Sequence, residues 1–148
     1  MVGVVFFFEE NDVDVYSGRR IHLDAWNYAI KAAGDITDMI VINRTDKNIS
    51  SPDSELNFKV VSEMPDLDGV IVHLVCPWDK IENNSVALWD FDHEADWYVF
   101  GPASGWNAED IIKVGVHIPQ SNMGALHAVH VASIVMMHRY KVISWQHQ

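Results

Sequence analysis

Five short stretches of this chain are apolar almost without a break: Val2–Phe8, Asp38–Asn43, Gly69–Val75, Trp97–Phe100 and Gly115–Ile118. A strand with one wet face alternates polar and apolar residues. A nearly continuous apolar run instead suits a strand covered on both faces, the situation of a parallel sheet flanked by helices. Phe58–Val61 is a sixth, briefer strand. Helical patterns fall between these runs. His22–Ala33 places Leu23, Trp26, Ile30 and Ala33 on one stripe, with Ala25, Ala29 and Ala32 as a small-residue face and Gly34 as the terminator. Asn107 caps a short helix over Ala108–Lys113, with Asp110 reaching back from its third position. Gly124–Tyr140 forms a last helix, apolar nearly all round and therefore covered on two sides, by the sheet and by a second subunit. Strands alternating with helices give an α/β fold: a mostly parallel five- or six-stranded sheet with helices on both faces.

At 148 residues the chain fits one domain, 1–148, large enough to bury a core without disulfides or a structural metal. The single Cys76 allows no disulfide framework and fits a reducing compartment. The apolar start lacks a basic flank and runs into Glu9-Glu10, so it reads as a strand and not as a signal peptide. No apolar run reaches the roughly 20 residues a membrane helix needs. A soluble, cytoplasmic protein with no membrane contact is expected. The net charge of −11, with only ten Lys and Arg, argues against general affinity for nucleic acid. DNA is not expected as a partner, and any RNA contact must be local or use another protein.

The candidate site lies near the C-terminus. Val99-Phe100-Gly101-Pro102 with Gly105 ends one strand in a tight loop, and Val116-His117-Ile118-Pro119 ends the next at a proline. Both bends expose backbone N–H and C=O groups that can hold a polar ligand. Ala125-Leu126-His127 then leads the final helix. His127, His130 and His138 lack both a zinc-binding pattern and a nearby cysteine, so no metal site is expected. Trp78, Trp89 and Trp97 can stack on bases but equally fill a core.

Together these segments resemble the SPOUT class, the trefoil-knotted, S-adenosylmethionine-dependent RNA methyltransferases, and among them the SpoU-type ribose methylases. The match covers about the last third of the chain; the rest agrees in element order. The resemblance implies a C-terminal trefoil knot over about residues 97–140. It implies S-adenosylmethionine held by backbone around Phe100, Gly101, Pro102 and Gly105, around His117, Ile118 and Pro119, and around Met123, Gly124, Ala125 and Leu126. It implies methylation of a tRNA or rRNA ribose 2′-oxygen, and a homodimer through the last helix. Four departures accompany it, the first being that Ile118-Pro119 lies one residue closer to Ala125-Leu126-His127 than is usual. Ala103 stands where the loop commonly carries an acid, Ala125-Leu126-His127 replaces Ser-Leu-Asn, and Tyr28, assigned to packing, occupies the register of the class's first-helix arginine. His127 with Arg19 or Arg20 are the candidate catalytic residues. The other reading on the same fold is a non-catalytic module that binds the cofactor or a partner.

Overall fold

The computed structural model describes residues 2–9, 21–76, 85–102, 106, 112–119 and 128–146. Strands β1 (Val2–Phe8), β2 (Ile36–Asn43), β3 (Asn57–Val61), β4 (Ile71–Leu74), β5 (Val86–Ala87), β6 (Trp97–Phe100) and β7 (Val114–His117) form one sheet. Its order is β3-β2-β1-β6-β4-β7-β5, and every neighbouring pair is parallel. The expected six strands are all present. The seventh, β5, is two residues long and lies in a segment whose sequence carries no strand pattern. The last two long strands are inserted between earlier ones, β6 between β1 and β4 and β7 between β4 and β5.

The continuous runs are buried on both faces, as their composition requires. From β1, Val4, Phe6 and Phe8 enter one core with α1 (Ile21–Lys31) and α2 (Ala128–Gln146). Val5 and Phe7 enter the other, with Ile40, Ile42 and Val99. Phe6 lies between Trp26 of α1 and Phe100 of β6, with ring centroids 4.6 and 4.8 Å away. Both described helices pack on this first face and against each other. The second face is covered by Leu67, Trp97 and Trp106. The short helix expected over Ala108–Lys113 falls largely outside the described residues.

Helix α1 buries Leu23, Trp26, Ala29 and Ile30, and Gly34 follows it at φ +80°, the C′ conformation glycine supplies most easily. Tyr28 does not pack as expected: it is 77% exposed, because the Leu23–Trp26–Ile30 stripe already takes the sheet side. Helix α2 runs six residues past the expected end at Tyr140, since no glycine or proline interrupts it before Gln146. Ala132, Val135 and Met136 face the core, while Met137, Tyr140 and Trp145 are exposed.

At the N-terminal edge of the sheet a polar cluster sits beneath α2. Buried Arg139 pairs with Asp35, joining α2 to the start of β2. Its charge also favours the ionised form of the Tyr98 phenol, partly opposing the effect of burial. His93 bonds Tyr98 Oη through Nδ1 and His138 Nδ1 through Nε2, both at 2.7 Å. Burial, then the neighbouring His138 and Arg139, push His93 down to about 4, and burial raises the Tyr98 phenol well above its usual range.

Candidate functional site

Because every strand runs the same way, the C-terminal strand ends share one edge, where parallel α/β sheets hold their ligands. The bend after β6 (Phe100, Gly101, Pro102) and the bend after β7 (His117, Ile118, Pro119) both lie there. Only β4 separates β6 from β7, so the two bends stand about 10 Å apart, two interstrand spacings. Phe100 and Ile118 bury their side chains in the core, which leaves their backbone as what they can offer a ligand.

Trp106 floors this edge. Its Nε1–H donates to Leu74 O at 2.8 Å, and its ring meets Phe7 and His73 edge-on at 5.6 and 5.4 Å. A Cβ added at Gly101 would lie 2.9 Å from Trp106 Nε1. A glycine closing such a bend can serve the turn itself or the close approach of a ligand. In the fold, the space beside Gly101 belongs to the indole. One tryptophan thereby fixes the ends of β1, β4 and β6 relative to one another.

Two more side chains mark the same edge. Ser85 Oγ lies 2.8 Å from His117 Nδ1, joining the start of β5 to the end of β7. Arg44 follows β2; its backbone N–H donates to Phe8 O at 2.8 Å, and its guanidinium lies over the Phe7 ring, 4.6 Å from the centroid. Glu9 stands 3.5 Å from that guanidinium. Sequence reading named none of Ser85, Arg44 or Trp106 as a site residue. Trp106 directly follows the loop glycine Gly105, which is a usable signal; nothing local marks Ser85 or Arg44.

Of the expected site residues, Phe100, Gly101, Pro102, His117, Ile118 and Pro119 are brought to one edge. Gly105, Met123, Gly124, Ala125, Leu126 and the candidate catalytic residues Arg19, Arg20 and His127 lie outside the described residues. Among the described residues no three His, Cys, Asp or Glu side chains gather as a metal site. His138, one of the three C-terminal histidines, is engaged by His93 instead.

No family model and no curated protein matches the chain. Solved structures do. A probable methylase family protein from Haemophilus influenzae Rd KW20 superimposes with a TM-score of 0.70 at 12% identity, over 99% of this chain and 66% of that one. The TrmH/SpoU tRNA modifying enzyme of A. aeolicus gives 0.62 at 11%, over 99% and 76%. The SpoU methyltransferase AviRb from Streptomyces viridochromogenes, solved in complex with AdoMet, gives 0.60 at 13%, over 97% and 61%. This chain thus spans about two thirds of the first and less of the third. At these identities the likeness is one of fold, and the chain has the fold of the SpoU-type RNA methyltransferases.

Proposed function

We propose that this chain is an S-adenosylmethionine-dependent RNA methyltransferase acting on a ribose 2′-hydroxyl of tRNA or rRNA. One observation carries the reading: in a SpoU-type fold, the bends after β6 and β7 stand one strand apart at the C-terminal edge. A span of about 10 Å is one a nucleoside can bridge. Backbone of Phe100–Pro102 and His117–Pro119 would hold it, joined by Gly105 and Met123–Leu126. The sulfonium supplies an activated methyl group when bound. What remains for the protein is positioning and the removal of the acceptor's proton. Arg19, Arg20 and His127 are the residues proposed to orient the acceptor hydroxyl and stabilise the charge that develops on it.

The reading extends to the assembly. A chain threaded through its own C-terminal loop agrees with the late insertion of β6 and β7 between earlier strands. A homodimer through α2 would cover Met137, Tyr140 and Trp145, apolar groups that a lone copy leaves in water. RNA reaches such an acidic molecule through a local basic surface or a basic partner, and a cytoplasmic setting agrees with a single cysteine, Cys76, which allows no disulfide within the chain. Among the described residues no helix is long and apolar enough to cross a membrane.

The second reading, a non-catalytic module on the same fold, is favoured by one particular feature. Tyr28, not a cation, stands at the first-helix register, and it points into solvent. Calorimetric titration with S-adenosylmethionine, followed by transfer of labelled methyl groups to bulk RNA, separates the readings. Micromolar binding with transfer supports the enzyme. Binding without transfer supports the module, and no binding below millimolar defeats the cofactor assignment.

A further inference from the structure

We infer that His117, held by Ser85, is the base that accepts the proton of the methylated hydroxyl; this rests on the methyltransferase reading above. Nearly all expected contacts at this edge are backbone contacts, and backbone cannot take up a proton near neutral pH. Arg44, beside Glu9 and over Phe7, is a cation and not a base. His117 differs from both. It closes β7 next to Ile118-Pro119, it is only partly buried, and its neutral imidazole carries one ring nitrogen that can accept a proton.

The contact with Ser85 engages one ring nitrogen and leaves the other to be presented. Ser85 Oγ sits 2.8 Å from Nδ1, and Nε2 has no hydrogen bond among the described residues. When Nδ1–H donates to the serine oxygen, the Nε2 lone pair is left as the acceptor. This is the orienting arrangement a general base needs: one nitrogen fixed, the other presented. In the step itself, the hydroxyl oxygen bonds to the methyl carbon as the carbon–sulfur bond breaks. The bonding electrons pass to sulfur, which becomes a neutral thioether, and the hydroxyl proton passes to Nε2. The imidazolium then returns that proton to water. Ser85 is the positioning residue and His117 the catalytic one.

A purely structural role is the competing account, because the same hydrogen bond also fastens the two-residue strand β5 to β7. Nitrogen-15 NMR of the wild-type chain tests which nitrogen is presented without any turnover, and the pH profiles of transfer separate the two accounts. The Nδ1–H tautomer of His117 is expected, and a dominant Nε2–H tautomer overturns the assignment. Labelled-methyl transfer to bulk RNA is then followed against pH. His117→Gln should lose about 100-fold or more in rate, lose the ascending limb of the pH profile, and keep its calorimetric affinity for S-adenosylmethionine within threefold. Ser85→Ala should shift that limb, and Ser85→Thr should restore it. A His117→Gln protein that binds the donor and transfers methyl groups within threefold of wild type overturns the base while leaving the methyltransferase reading intact. A wild-type chain that binds the donor but transfers nothing overturns both.

Discussion

His93 holds an unusual backbone, φ +61°, and an imidazole buried against Tyr98 and His138. Such a conformation costs a non-glycine residue of order 1 kcal/mol or more and persists because the hydrogen bonds at both ring nitrogens fix it. Its lowered pKa makes stability depend on pH in a definite sense. The unfolded chain binds a proton near 6.5, while folded His93 resists until about 4. Stability is therefore complete above about pH 6.5 and declines as the pH falls toward 4, by roughly 2–3 kcal/mol from this group. His138, lowered by burial and then by Lys141, acts in the same direction. Urea midpoints measured from pH 8 to pH 4 should fall through that window, and a His93→Gln variant should flatten the decline. Glycines offer a second test. An added Cβ at Gly3 would lie 2.4 Å from the Trp97 ring, whereas one at Gly34 meets nothing within 4 Å. Gly3→Ala should cost about 1–3 kcal/mol by overpacking. Gly34→Ala should cost only about 1 kcal/mol, through its positive φ. Equal shifts in denaturation midpoint for the two would contradict the close stacking of Trp97 on β1.

Helix α2 is where one element joins several others. Val135 and Met136 seat it in the core, and Arg139 ties it to Asp35 before β2. The pair is lopsided: the arginine side chain is 5% exposed and the aspartate 50%. Removing the aspartate strands a buried charge, while removing the arginine leaves a carboxylate that water can solvate. Asp35→Ala should therefore destabilise by about 3 kcal/mol, and Arg139→Met by no more than about 1. Chemical denaturation of both variants checks the order, and the reverse order would show that the guanidinium is solvated. At this scale much was legible. Leu23, Trp26 and Ile30 announce the buried stripe of α1, and continuous apolar runs announce β1 and β2. Strand β5 was not, because two residues cannot display a period. The far end of α2 was missed because the sequence carries no stop signal there, a cue of absence that is easy to read past.

The molecule as a whole keeps its two sheet edges apart in character. The N-terminal edge holds the Asp35–Arg139–Tyr98–His93–His138 cluster, and the C-terminal edge holds the bends, Trp106 and the Ser85–His117 pair. If α2 is the dimer surface, Met137→Lys combined with Tyr140→Glu should shift the chain to a monomer in sedimentation velocity at micromolar concentration without lowering its helix content. An unchanged sedimentation coefficient would place the subunit contact elsewhere. The sequence by itself determined the class of fold and which stretches end in bends, because burial on two faces and the need for a turn are written into a residue and its near neighbours. It also supplied, through the SpoU resemblance, the expectation of a cofactor at those bends. Only the tertiary structure decided the strand order that sets the bends after β6 and β7 one strand apart. Only it decided which polar groups meet: Ser85 with His117 across 32 positions, His93 with His138 across 45, Arg139 with Asp35 across 104. Local pattern states whether a side chain is buried, but it does not name the partner that satisfies it, since that partner arrives from a part of the chain with no periodic relation to it.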